Sequence, residues 1–368
     1  MKFTAEQSAL TAALDHIRAI VSKRNTIPVL GNTLVTATAD GLTMTATDLD
    51  IEVTETVAAD ILSTGAVTVP AHILSDIVRK LPKGSQVGFE TADNSARVTA
   101  GRSRFELATL PREDFPVMTM AVARSQAVFT MAVSELRDLI GRTIPTVSTE
   151  ETRFHLNGIY LHNSDGQLRA VSTDGHRLTR YDTSLPVGAE QIPGIILPRT
   201  TCTVLAGLLR GGDGDIEITV CDTKIRTTFG GITLVSKLID GTFPDYTRVI
   251  PKEPPNHIRT DVKALSAAVD RAGVIFDGPA AVKFTLNGDG VTLTAQSSAN
   301  SAGSVEELEA EYSGAALEIG FNHKYLAGIL GGITGDQVDI AMGDSGSPSV
   351  ITDPAEQGVL YVLMPMRV

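Results

Sequence analysis

The chain has 368 residues, 42% of them hydrophobic and 20% charged, with 33 Gly, 17 Pro, 2 Cys and no Trp. That is ample apolar material for folding but too much chain for one core, so two or three globular domains are expected. A formal charge of -12 excludes a uniformly basic nucleic-acid binder and leaves open how charge is divided between faces. No stretch approaches the roughly 20 apolar residues of a membrane helix, and Met1-Lys2-Phe3-Thr4 leads straight into polar, periodic sequence without a signal-peptide core. A soluble, cytoplasmic protein is expected. Cys202 and Cys221 stand 19 positions apart with no CxxC and no His at ligand spacing, which supports neither a zinc site nor a disulfide framework. Both read as plain buried thiols, and neither metal nor cofactor is called for.

Taken in chain order, the elements recur. Phe3-Thr4 opens a segment running into a helical pattern at Leu10, Leu14, Ile17 and Val21, and Asp40-Gly41 turns into an alternating strand through Leu42, Met44 and Ala46. A second helix carries doubled apolar positions one turn apart, Ile73-Leu74 and Ile77-Val78, predicting one stripe on one face. It stops near Gly84, and two strand-like segments end at Phe105-Glu106-Leu107. The series restarts 126 residues after Phe3, at Phe129-Thr130, with Val133, Leu136 and Ile140, the turn Asp165-Gly166, the pairs Val204-Leu205 and Leu208-Leu209, the stop Gly211-Gly212 and the ending Ile232-Thr233-Leu234. It restarts again at Ile258-Arg259-Thr260 with Val262, Leu265 and Val269, then Asp289-Gly290, Tyr325-Leu326 and Ile329-Leu330, Gly331-Gly332 and Val359-Leu360-Tyr361. Such agreement predicts an α+β protein of three homologous domains, each with two amphipathic helices packed on antiparallel sheet. Composition shifts at Ala121–Ser125 and Pro251–Pro255 place the domains at 1–123, 124–252 and 253–368.

Catalytic signatures are missing: there is no GxxxxGK[ST], GxSxG or HExxH, and Gly211-Gly212-Asp213-Gly214 closes a helix instead of cradling a phosphate. The one dense polar cluster is Ser172-Thr173-Asp174-Gly175-His176-Arg177. A hydrolase would use His176 as base, Asp174 to orient it, and Ser172 or Thr173 as nucleophile. The competing readings are a tight turn in which Asp174 caps backbone amides and Gly175 takes positive φ, or a binding rim beside an apolar floor of Leu178, Pro244 and Val249. Thr47-Asp48 occupies the equivalent spot in the first repeat without any His.

Several strings carry a resemblance over the whole length: Met1-Lys2-Phe3-Thr4, Thr26-Ile27-Pro28-Val29-Leu30-Gly31-Asn32, Gly101-Arg102-Ser103-Arg104-Phe105, Thr173-Asp174-Gly175-His176-Arg177-Leu178, Ser236-Lys237-Leu238, Phe243-Pro244-Asp245-Tyr246, Tyr312-Ser313-Gly314 and Tyr361-Val362-Leu363-Met364-Pro365-Met366-Arg367. By these the chain resembles the bacterial DNA sliding clamps, the beta subunits of DNA polymerase III. The resemblance implies a non-catalytic processivity factor: a head-to-tail homodimer whose six similar domains ring double-stranded DNA without reading its sequence, helices inside and sheets outside. Three units per chain need only a twofold axis to make six. At the joint, Arg102, Arg104, Phe105 and Leu107 of one copy are expected to face Val274, Ile275, Glu306, Glu307 and Glu309 of the other, strand edge to strand edge.

A clamp needs a mild positive lining, since phosphate contacts hold without specifying. Candidates near the helices are Arg18, Lys23, Arg24, Arg79, Lys80, Arg137, Arg142, Arg199, Arg210, Lys263, Arg271 and Lys324, and the resemblance marks Arg24, His155 and Arg199 as DNA-binding. The acidic stretches Asp48–Glu52 and Glu306–Glu311 are expected outside. The resemblance further implies that polymerase, clamp loader and repair proteins insert a short apolar linear motif into a cleft between the second and third domains. Its matching positions are Arg153, Leu156, Thr173, Gly175, His176, Arg177, Leu178, Pro244, Val249, Tyr325, Val362, Met364, Pro365, Met366 and Arg367, where Met and Pro give an adaptable groove. Gly346 and Pro348 depart from the larger or more polar side chains usual there. The alternatives are the hydrolase above and a monomeric repeat scaffold that binds no DNA.

Overall fold

The structure is a computed structural model and describes residues 1–22, 26–120, 126–288 and 290–368. The first repeat runs β1 (Lys2–Glu6), α1 (Gln7–Arg18), β2 (Asn32–Thr38), β3 (Gly41–Thr47), β4 (Ile51–Val57), β5 (Ala59–Ser63), β6 (Gly65–Pro70), α2 (Ala71–Lys80), β7 (Gln86–Ala92), β8 (Ser95–Ala100) and β9 (Ser103–Ala108). The second runs β10 (Ala127–Ala132), α3 (Val133–Thr143), β11 (Gly158–Ser164), β12 (Gln167–Thr173), β13 (Arg177–Ser184), β14 (Ile195–Pro198), α4 (Arg199–Leu208), β15 (Asp215–Val220), β16 (Lys224–Phe229) and β17 (Ile232–Lys237). The third runs β18 (Asn256–Asp261), α5 (Val262–Gly273), β19 (Ala281–Asn287), β20 (Gly290–Ser297), β21 (Ala302–Leu308), β22 (Ala310–Ser313), β23 (Leu317–Asn322), α6 (His323–Leu330), β24 (Gln337–Met342), β25 (Ser349–Asp353) and β26 (Glu356–Leu363).

The predicted periodicities locate the helices. Leu10, Leu14 and Ile17 of α1 are buried, as are Leu74 and Val78 of α2, Leu265 and Val269 of α5, and Leu326 and Ile329 of α6. The last two start at built caps. Asp261 accepts the Ala264 N–H at 2.8 Å, and Asn322 accepts those of Lys324 and Tyr325, satisfying amides that lack an intrahelical acceptor. The doubled stripe of α2 is a correction: Leu74 and Val78 face inward, but Ile73 is 53% exposed, because adjacent residues are about 100° apart on a helix and α2 buries the face that carries Leu74 and Val78.

Four antiparallel sheets carry the fold: β5-β1-β7-β8-β9, β10-β15-β16-β17-β4-β3-β2-β6, β14-β11-β12-β13-β26-β25-β24-β18-β22, and β21-β20-β19-β23. Two of them fuse neighbouring repeats. β17 of the second repeat pairs with β4 of the first, Leu234 opposite Val53, and β26 of the third pairs with β13 of the second, Tyr361 opposite Thr179. Each junction joins the last strand of one repeat to the fourth strand of the repeat before it.

By compactness the chain divides into two units, Met1–Arg137 with Pro186–Pro193 and Thr200–Leu238, and Asp138–Leu185 with Gly194–Arg199 and Ile239–Val368. In the first, Phe3 stacks on Phe89 at 5.0 Å, and Glu52, expected on an outer acidic stretch, is instead buried, its carboxylate accepting the Met118 N–H at 2.8 Å. In the second, Phe284 meets Phe321 edge to face at 5.4 Å in the third repeat's core. The expected linker at 121–125 and Asp289 lie outside the described residues. Cys202 is buried and Cys221 only partly so. Among the described residues, no helix is long and apolar enough to cross a membrane, and no cluster of His, Cys, Asp or Glu could hold a metal ion.

Candidate partner-binding cleft

The cleft lies wholly within the second compact unit and begins with a turn. Thr173 Oγ1, at the end of β12, donates to the Arg177 carbonyl at 2.8 Å and accepts the Gly175 N–H at 3.1 Å. Asp174 Oδ1 accepts the N–H groups of His176 (2.9 Å) and Arg177 (3.0 Å), while its Oδ2 accepts Arg177 Nε at 3.0 Å. Gly175 has φ +89, a left-handed conformation in which a side chain is costly. It also has a steric reason to be glycine, since a Cβ there would lie 3.0 Å from an Arg153 guanidinium nitrogen. The Arg177 guanidinium reaches across to the Tyr325 ring, 4.5 Å from its centroid, and the His176 ring stacks on the same tyrosine at 6.0 Å.

These contacts overturn the hydrolase expectation. Ser172 is fully buried and donates to the Thr143 carbonyl at 2.6 Å. Thr173 is committed to the turn, and both Asp174 oxygens serve backbone amides and the Arg177 guanidinium. No nucleophile is left beside a base.

The cavity next to this turn measures about 170 Å³. Leu156, Leu178 and Val362 form its buried floor, with Pro244, Val249 and Met364 as walls and Thr173, Gly175, His176 and Arg177 along one side. Ten of the expected cleft residues are thus brought together. Arg153 and Tyr325 stand behind this wall, touching Gly175, His176 and Arg177. The segment after β26 is fastened by the Met364 N–H donating to the His176 carbonyl at 2.9 Å. Beyond it Met366 bridges to Gly320, and Arg367 lines a separate cavity with Phe276 and Lys283, so the segment crosses from one site to the other at Pro365.

Asp245 and Tyr246 also line the cleft, and the residue-by-residue expectation omitted them although both stand inside the Phe243-Pro244-Asp245-Tyr246 string. Asp245 caps the short helical turn Tyr246–Val249, accepting from Thr247 N–H and hydroxyl at 3.2 and 2.6 Å. The Thr247 hydroxyl bond, more than the nearby Arg248, holds its carboxyl below the usual carboxylate range. Tyr246 is held from beneath. His162 Nε2 is 3.0 Å from its hydroxyl, Tyr160 stacks between His162 (4.5 Å) and Phe243 (4.9 Å), and Arg169 is forked onto Asp182 alongside. Burial pushes His162 below its ordinary pKa, which keeps the imidazole neutral and able to share this hydrogen bond.

The other expected sites are placed as follows. Arg24 and Lys23 lie outside the described residues. His155 packs edge to face on Phe154 at 5.7 Å, and Arg199, at the start of α4, donates to the carbonyls of Ile144 and Val147 at 3.2 and 3.3 Å. Several helix cations already have anionic partners: Arg18 with Asp76, Arg79 with Asp15, and Arg271 with Glu306. Arg142 is a correction to the lining. It is largely buried, donating to the Gly332 carbonyl and to Glu356 at 2.6 Å, and so serves packing instead of phosphate.

At the two sheet edges expected to meet, β9 exposes Arg104 and Phe105 but buries Leu107 in its own core. β21 leaves Val305 69% exposed and holds Glu306 against Arg271, and Val274 is exposed nearby in sequence to the partly buried Ile275.

Three family models match in order: the N-terminal domain of the DNA polymerase III beta subunit over residues 1–119, its central domain over 130–245 and its C-terminal domain over 247–367. The beta sliding clamps of Caulobacter vibrioides (strain NA1000 / CB15N) and Escherichia coli (strain K12) are 42% and 35% identical, covering all of both chains. The crystal structure of the Caulobacter crescentus sliding clamp and that of a Bartonella birtlesii clamp bound to griselimycin each superpose with TM-score 0.95 over all of both chains, at 42% and 40% identity. The chain therefore belongs to the DNA polymerase III beta subunit family, the non-catalytic beta sliding clamps.

Proposed function

We propose that two copies of this chain close head to tail around duplex DNA, with β9 of one copy pairing with β21 of the other, and that the cleft beside His176 takes short apolar segments of polymerase, clamp loader and repair proteins. The carrying observation is the pattern of strand edges. β9 is to the first repeat what β17 and β26 are to the second and third, and β21 is to the third what β4 and β13 are to the first and second. Both in-chain junctions join one strand of each kind, while β9 and β21 end their sheets unpaired. One further junction of the same kind uses both edges and closes six domains, removing the open ladders that invite aggregation. Arg102 and Arg104 against Glu307 and Glu309 supply opposite charge there, and Phe105, Val274, Ile275 and Val305 supply apolar surface. Domain boundaries at 1–123, 124–252 and 253–368 accompany this reading, as does DNA contact at Arg24, His155 and Arg199.

Light scattering at micromolar concentration should give twice 38.9 kDa, and Phe105→Asp combined with Val305→Asp should give the single-chain mass with the fold intact. Once loaded, the ring should stay on circular DNA and run off linear DNA. A single-chain mass for the unsubstituted protein, or equal retention on both DNA forms, removes the proposal. Griselimycin, bound in the Bartonella birtlesii structure, should bind this chain and compete with the polymerase for the cleft.

A further inference from the structure

We infer that Gly320 is a positioning residue for the cleft: the missing side chain on β23 seats the segment 364–368, whose Met364 walls the site. This rests on the docking role proposed for the cleft, although Gly320 does not line it.

β23 is the outer strand of the β21-β20-β19-β23 sheet. The segment after β26 crosses it at a single point, where the Met366 N–H donates to the Gly320 carbonyl at 2.8 Å in an isolated antiparallel bridge. Two residues earlier, Met364 N–H donates to the His176 carbonyl at 2.9 Å. Pro365 between them has no N–H to donate and a fixed φ, so these two bonds are the backbone anchors of the run that carries the Met364 side chain into the cleft. Gly320 is not among the residues with positive φ, so strand geometry alone would accept any side chain. Space would not. A Cβ at Gly320 would collide with Val368 Cγ1 and lie 2.7 Å from the Met366 carbonyl oxygen. Because the second obstacle is backbone, even alanine has to lift the segment off the strand, releasing one of the two anchors of Met364.

The experiment uses the full chain with griselimycin as probe, by titration calorimetry, and methionine methyl spectra as a reporter. Gly320→Val should raise Kd roughly tenfold or more, about 1.4 kcal/mol, and Gly320→Ala should raise it less. Combining Gly320→Ala with Val368→Gly, which removes the colliding methyl, should recover part of the loss. The methyl signals of Met364 and Met366 should move, while those of Met44 and Met131, buried in the first compact unit, should stay. Wild-type affinity in Gly320→Val overturns the inference, as does a loss that displaces the Met44 and Met131 signals and is not recovered by Val368→Gly. Failure of the unsubstituted chain to bind griselimycin is a distinct result that removes the cleft reading itself, and the inference with it.

Discussion

In the first repeat the turn from β3 to β4 is tied by Thr47 Oγ1 donating to the Ile51 carbonyl at 2.8 Å, and by Asp48 Oδ1 accepting the N–H groups of Asp50 and Ile51 at 2.9 and 2.7 Å. In the second, Thr173 and Asp174 make the same bonds to Arg177 and His176 at 2.8 to 3.0 Å. Even the positive φ falls at the same place, +81 at Leu49 and +89 at Gly175. What differs is the cargo. Ile51 points into the core, and Asp50 pairs with Lys237 at 2.9 Å. Their counterparts Arg177 and His176 lie against Tyr325. The Thr-Asp pair is therefore architecture, present whether or not anything docks. The difference lies in three positions: a glycine that admits Arg153, an imidazole and a guanidinium.

The comparison breaks if the two aspartates prove unequal as caps. Asp174→Ala strands two N–H groups and frees Arg177, and should cost about 1–3 kcal/mol of stability together with a roughly tenfold or greater loss of griselimycin affinity. Asp48→Ala should lower the thermal midpoint comparably and leave affinity unchanged. A binding defect in Asp48→Ala would show that the caps act globally. The partner positions sharpen the contrast. His176→Ala should weaken binding severalfold while keeping stability within about 0.5 kcal/mol. Asp50→Ala loses only an exposed ion pair, worth about 0–1 kcal/mol, with binding unaltered.

Swapping the positive-φ residues should give opposite signs. Leu49→Gly relieves a left-handed conformation that costs a branched residue roughly 1–2 kcal/mol, less about 0.5–1 kcal/mol of unfolded-chain entropy. The net is a small stabilisation. Gly175→Ala imposes that strain and crowds Arg153, so it should destabilise and weaken binding. Chemical denaturation of both variants decides the matter, and destabilisation by both would mean that Leu49 contributes packing that its partial exposure conceals.

The smallest effect concerns two histidines, one per repeat. His16 is raised above its usual pKa, first by its 2.7 Å hydrogen bond with Glu55. Its contribution to stability is complete below the unfolded value and fades as pH rises through the raised one. His162 is lowered, chiefly by burial, so its contribution is complete above the unfolded value and is lost as pH falls through the lowered one. Imidazole NMR titration should place His16 above and His162 below an ordinary histidine, and griselimycin affinity should follow His162 alone, because only that ring supports Tyr246.

Much of this was legible beforehand because it is local. Period-3.6 stripes, Asp-Gly turns and the Thr-Asp cap depend on neighbours in sequence, and the TDGHRL and YVLMPMR strings pointed to a cleft that the fold assembles from Leu156 to Met364. What escaped depends on distant partners. Arg142 reads as a helix cation until Glu356 and the Gly332 carbonyl arrive from the third repeat. Glu52 reads as solvated until Met118 presents its amide. Leu107 and Phe105, two residues apart on β9, share one face of the strand yet differ in exposure, because that face is covered at Leu107 and left open at Phe105, which alternation by itself does not show.

The two sheets that pass from one repeat into the next make the chain hard to subdivide. A polypeptide stopped after residue 123 would fold its first helices over a four-stranded ladder whose β4 has lost β17, and a piece starting at residue 253 would lack β13 for β26. Each would present raw amides and carbonyls along a strand built to be covered, so severed pieces should clump by strand addition when made alone and stay in solution only when co-produced with the remainder.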